Sequence, residues 1–218
     1  MSEQRKSMDQ RLLEARIVID NSLSNQDILD AVTLFGYDQP RLQAALALYN
    51  EVIDLVAAQR KEYGQQYEAT NTLQSAWDTA DAAYKRTLKI SRLVFEGNAE
   101  ARNALGLNGR RKISIGGWIE QTMFFYKAML ETPAFIAAMT PYSYDQAKLS
   151  AENALVQAVI NAKSQQNTER GQAQEATKIR DAKMDELDQW ISAYKTVAEV
   201  ALDETPQKLE QLGWVVPS

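Results

Sequence analysis

Residues 37–70 read YDQPRLQAALALYNEVIDLVAAQRKEYGQQYEAT, and residues 144–177 read YDQAKLSAENALVQAVINAKSQQNTERGQAQEAT. Superposed without a gap, at an offset of 107, the two stretches share 16 of 34 residues. Unrelated stretches of ordinary composition would share about one residue in sixteen. The identities include Tyr37-Asp38-Gln39 with Tyr144-Asp145-Gln146, Gly64-Gln65 with Gly171-Gln172, and Glu68-Ala69-Thr70 with Glu175-Ala176-Thr177. At the same offset Leu105-Gly106 returns as Leu212-Gly213. The chain is therefore an internal duplication of a half-length unit, which sets the architecture and names no activity.

Inside each copy the apolar positions recur by threes and fours. Leu42, Leu46, Tyr49, Ile53, Val56, Tyr63, Tyr67, Leu73, Trp77, Tyr84 and Leu88 follow a helical period close to that of a coiled coil. Asp38 caps this helix, which meets no stop signal before Phe95 and Gly97. Ahead of it, Met8, Leu12, Ala15, Ile19 and Ser22 share one face of a shorter helix, and Ser24 with Asp27 reads as a capping box for a second. The second copy repeats the plan. Residues 115–129 form a helix, Thr132-Pro133 opens another, and Ser143 with Gln146 reads as the capping box of a second long helix.

These signals predict an all-α fold, an elongated up-down helical bundle with two long antiparallel helices and pseudo-two-fold symmetry. Residues 1–107 form the first repeat and 108–218 the second, with one continuous core shared between them. The long helices are expected to cross at their polar, alanine-rich middles. Gly64, Gln65, Glu68 and Ala69 would meet Gly171, Gln172, Glu175 and Ala176 there, the glycines and alanines letting the backbones approach.

Composition excludes much chemistry. There is no cysteine and no histidine among the 218 residues. Zinc–thiolate sites, thiol nucleophiles, the commonest general base and the Glu-x-x-His di-iron motif are thereby removed. A net charge of −5 argues against general nucleic-acid binding. Met1-Ser2-Glu3-Gln4-Arg5-Lys6 lacks the apolar run of a signal peptide, and no stretch is apolar enough to span a bilayer, so a cytoplasmic protein is expected.

Three constellations remain. Residues 113–144 are the most apolar stretch; Trp118, Phe124, Phe125 and Phe135 are candidates for a partner or membrane surface, unless this helical pair is sandwiched in the core. Lys85, Arg86, Lys89 and Arg92 make a basic stripe absent from the second copy, and Arg110-Arg111-Lys112 adds a cluster. Glu62, Glu68, Glu169 and Glu175 are a low-odds oxygen-only divalent-metal set, more simply read as a solvated helix face. The leading expectation is a non-enzymatic scaffold or protein–protein interaction protein, without cofactor or metal, engaging a protein partner or itself. The alternatives are a membrane-engaging protein that inserts residues 113–142 and a metal-binding bundle.

Overall fold

The computed structural model describes residues 6–215. Among these the regular elements are all helical: α1 (Met8–Ser24), α2 (Gln26–Thr33), α3 (Gln39–Val94), α4 (Ala99–Ala104), α5 (Ile115–Glu131), α6 (Pro133–Met139), a 3₁₀ turn (Thr140–Tyr142), α7 (Gln146–Ala201) and α8 (Gln207–Gln211). Adding 107 to the bounds of α1 gives those of α5, and adding 107 to α3 gives α7, residue for residue. The other two pairs, α2 with α6 and α4 with α8, agree to within one residue at one end. The reading of Met1–Arg5 lies outside the described residues.

The retained Tyr-Asp-Gln has a local cause. Asp38 Oδ1 accepts from the Arg41 amide at 3.0 Å and Asp145 Oδ1 from the Lys148 amide at 2.8 Å, each satisfying a free donor in the first turn of a long helix. Tyr37 and Tyr144 are buried just ahead of these caps, and the Arg41 and Lys148 cations lie over their rings, each 3.8 Å from the centroid. We expect Asp38→Ala and Asp145→Ala each to cost about 1 kcal/mol. Thermal melts should show a fall of roughly 2–4 °C for each, with Asn variants close to wild type.

Two capping boxes differ from expectation. Ser24 is the last residue of α1, and Asn25 caps α2 instead, its Oδ1 taking the amides of Asp27 and Ile28. Ser143 adopts φ +64° and ends the 3₁₀ turn, leaving the cap of α7 to Asp145. In both places an Asx side chain next to the helix reaches the free amides, and the serine does not. Leu105-Gly106 and Leu212-Gly213 recur because each short helix ends in a glycine with positive φ, +63° and +81°, beside a buried leucine.

The chain forms two compact units, and they are not the two sequence repeats. One is residues 63–171; the other joins residues 1–62 to residues 172–218. In the first, Trp118, Phe125, Tyr126 and Met129 of α5 pack with Tyr84 and Leu88 from the C-terminal part of α3, with Phe95 just beyond its end, and with Leu149, Val156 and Val159 of α7. The rings meet edge to face, Tyr84 with Phe125 at 5.4 Å and Phe125 with Tyr126 at 5.0 Å. In the second unit Val18, Ile28, Val32, Tyr37 and Leu42 pack with Tyr194, Ala198 and Leu202. Leu12, Ala15, Ile19 and Val52 pack there with Met184 and Leu187.

Within each unit α3 and α7 run antiparallel. Thr70 pairs with Gln166 and Thr87 with Glu152 in residues 63–171. Glu51 pairs with Lys183 and Gln59 with Thr177 in the other. The buried apolar residues fall into three clusters, one in residues 63–171 and two in the other unit. The cause lies in the sequence: over residues 57–72 and 161–182 the buried apolar side chains are Ala69 and Ala173 alone.

Candidate functional site

Helix α5 carries the most distinctive surface. Trp118, Thr122, Phe125, Tyr126 and Met129 form its buried stripe at helical spacing. Trp118 and Phe125, expected on a partner or membrane surface, are fully buried, because they share this stripe with Tyr126 and Met129. Phe135 of α6 is half-buried, its ring 5.4 Å from that of Phe95. Phe124 is on the other side of α5 and 54% exposed, with Met123 at 45%. With Glu120, Lys127, Leu130 and Glu131 of α5 and Asn153 and Gln157 of α7, they line an open groove of about 560 Å³.

The duplicated chain contains its own control. The positions matching Met123, Phe124 and Lys127 are Arg16, Ile17 and Asp20 of α1. There Arg16 pairs with Asp20 at 2.5 Å and lies over the Tyr49 ring, 5.5 Å from its centroid, giving a charged outer face. The equivalent helix thus carries an ion pair where α5 has Met123 and Lys127, while Ile17, at the position of Phe124, is apolar and half-buried. The exposed methionine is a property of α5; an apolar residue at the position of Phe124 is common to both helices.

Two polar nodes tie α5 to the long helices, one half-buried and one buried. Asp81 Oδ1 accepts from Trp118 Nε1 at 2.8 Å and pairs with Arg111 at 2.6 Å, while Asp81 Oδ2 pairs with Lys85 at 2.7 Å. The equivalent aspartate, Asp188, instead accepts from Arg11, which stands at the position of Trp118. In each unit the first helix of one copy is thus joined to the long helix of the other copy through one aspartate, with an indole donor in one unit and a guanidinium in the other. The second node is Glu152 of α7. It is buried and accepts at Oε2 from the Thr87 hydroxyl at 2.5 Å and the Tyr126 hydroxyl at 2.9 Å. Burial and the Glu152 carboxylate together hold the Tyr126 phenol well above its ordinary range. Neither node was singled out in sequence. The signal for Asp81 was its recurrence as Asp188; the signal for Glu152 was a carboxylate where the other copy has Ala45.

The chain matches no protein-family model, no curated protein and no solved structure. Gly64, Gln65 and Glu68 are exposed and Ala69 is buried; Gly171, Gln172 and Glu175 are exposed and Ala176 is half-buried. A Cβ added to Gly64 or Gly171 would meet no heavy atom within 4 Å, so neither glycine is required by a close neighbour.

Glu68 and Glu169 do line one shallow groove of about 280 Å³ with Gln65, Thr72 and Gln165, and Gln165 Nε2 donates to Glu169 Oε1 at 2.5 Å. Glu62 and Glu175 are not among its lining residues. Among the described residues no group of three or more acidic side chains is placed to hold a metal ion. No described helix is long and apolar enough to cross a membrane.

Proposed function

We propose that the chain is a non-enzymatic helical scaffold or interaction protein that receives an amphipathic helical segment of another protein in the α5–α7 groove. The observation that carries this reading is the exposed Met123–Phe124 pair beside a groove, with a methionine on α5 where the equivalent helix places Arg16 of the Arg16–Asp20 ion pair. The groove-lining residues of α5 run from Glu120 to Glu131, about three helical turns, a length that suits a helix-in-groove contact. A partly exposed phenylalanine flanked by charged residues has the make-up of an interface anchor with a polar rim.

Phe124→Ser tests it. A partner retained in stoichiometric amount by the wild-type chain should bind the purified variant at least about tenfold more weakly, with the melting temperature unchanged. Equal binding of that partner by wild type and variant would remove the groove from the interaction. The membrane-inserting alternative is less well supported, because releasing residues 113–142 would pull Trp118, Phe125, Tyr126 and Met129 out of the core. The metal alternative lacks a third carboxylate at Glu68 and Glu169.

A further inference from the structure

The two compact units differ sharply in charge. Residues 63–171 hold twelve Lys and Arg against ten Asp and Glu, a net of +2; the other unit holds twelve against nineteen, a net of −7. The difference is concentrated at equivalent places, the C-terminal turns of α3 and α7. Leu93 of α3 and Val200 of α7 correspond at the offset of 107, and they are 58% and 59% exposed. An exposed aliphatic side chain at the same place in both copies is a repeated feature. The charges around it are opposite.

Around Leu93 the face is basic. Arg86 and Lys89, seven and four residues earlier, share its side of α3; both are exposed and make no salt bridge among the described residues. The structure adds the linker to this face. Arg92 Nη2 donates to the Gly109 carbonyl at 2.8 Å and Arg111 reaches Asp81 at 2.6 Å, laying the linker along α3. Arg110 and Lys112, also exposed, are thereby brought to the basic stripe, next to Ile113, which is 82% exposed. Two clusters separated in sequence become one patch. Its nearby acidic groups are Asp81, already paired with Lys85 and Arg111, and Glu96 beyond Leu93.

Around Val200 the face is acidic. Glu199, Asp203 and Glu204 are exposed and make no salt bridge among the described residues. Glu199 stands at the position of Arg92, and Ala193 and Thr196 replace Arg86 and Lys89. The nearest cations are engaged elsewhere: Lys195 lies over the Trp214 ring and Lys208 pairs with Asp27. Each chain thus bears one exposed aliphatic among unpaired cations and one among unpaired anions.

We infer that these two faces are complementary halves of a self-association contact, the Leu93 face of one copy docking on the Val200 face of a second. The inference rests on the reading of the chain as an interaction protein but uses a surface separate from the α5–α7 groove. Opposite charge sets the pairing, since two basic or two acidic faces repel, and the aliphatic pair supplies the dry centre. Such a contact is heterologous: each copy keeps one face free, so association closes into a ring or continues as a chain.

The test is mass by light scattering and sedimentation on the full chain. At low salt the mass should rise with concentration above 24.5 kDa and fall back towards it in about 0.5 M salt. The charge-reversed pair Arg86→Glu/Lys89→Glu should weaken association at least about tenfold, and so should Glu199→Lys/Glu204→Lys. Mixing the two variants should restore it, because each then offers the charge the other lacks. Unchanged melting temperatures would show that both variants fold. Phe124→Ser should associate like wild type, so a failed groove leaves this result standing and the reverse also holds. Three outcomes overturn the inference: a monomer at every concentration in low salt, assembly insensitive to both reversals, or two inactive variants that fail to complement. A monomer that sediments with phosphatidylserine vesicles, and loses this with Arg86→Glu/Lys89→Glu, would assign the basic face to an anionic membrane instead.

Discussion

Ala45→Glu is expected to cost about 3–5 kcal/mol, enough to unfold the unit that contains it, because it buries an unpartnered carboxylate. Ala45 is 2% exposed and packed among Leu12, Ala15, Ile19, Met184 and Leu187. At the equivalent position of the other unit the chain already carries a glutamate, Glu152. The difference is the set of donors. Glu152 accepts from Thr87 and Tyr126; the matching positions are Tyr194, whose hydroxyl bonds Ser22 at 2.5 Å, and Ile19, which has no donor. The reverse change, Glu152→Ala, should be milder, near 1–3 kcal/mol, the usual cost of leaving a buried donor unmade. Thr87 keeps a fallback acceptor in the Ala83 carbonyl at 3.2 Å, so that cost falls mainly on Tyr126. Chemical denaturation of the two variants decides the matter. Equal losses would mean that the hydroxyls around Glu152 do not hold its charge.

Trp118→Ala is expected to be of similar size, about 3–5 kcal/mol, as for other buried tryptophans cut back to alanine. The indole is fully buried against Tyr84 and Trp77, with ring centroids 6.4 and 6.3 Å away, and its Nε1–H meets Asp81. Trp118→Phe separates packing from polarity. It keeps much of the ring volume and removes the donor, so most of the loss should be recovered; Arg111 and Lys85 still neutralise Asp81. A thermal melt suffices. A Trp118→Ala protein as stable as wild type would place the indole outside the core.

The helix plan was legible because one signal was written twice. Periodicity locates α3 and α7, and the offset of 107 matches α1 to α5 in the sequence itself. What periodicity left open was which side of α5 is dry. Trp118, Phe124, Phe125 and Phe135 are all aromatic, and a helix of high apolar content does not show by composition which of its rings faces the core. Assigning buried to Phe125 and exposed to Phe124 needed the positions of Tyr84, Tyr126 and Leu149, two of them distant in sequence. The polar nodes were illegible for the same reason. Asp81 and Glu152 sit among charged residues of long helices, and their burial depends on partners 26 to 65 positions away. The division of the chain into units was also hidden, because similarity marks where a copy starts and ends but not which parts of it share a core.

That division orders events during synthesis. The unit formed by residues 63–171 is one uninterrupted segment, whereas the other needs residues 172–218 before residues 1–62 can be covered. On the ribosome the first could collapse while the last helical segments are still being made. Through that interval Leu12, Ile28, Val32 and Leu42 would have no partners from Met184, Leu187 or Tyr194. The segment translated first is covered last, and its waiting apolar faces are the ones a nascent-chain chaperone would meet.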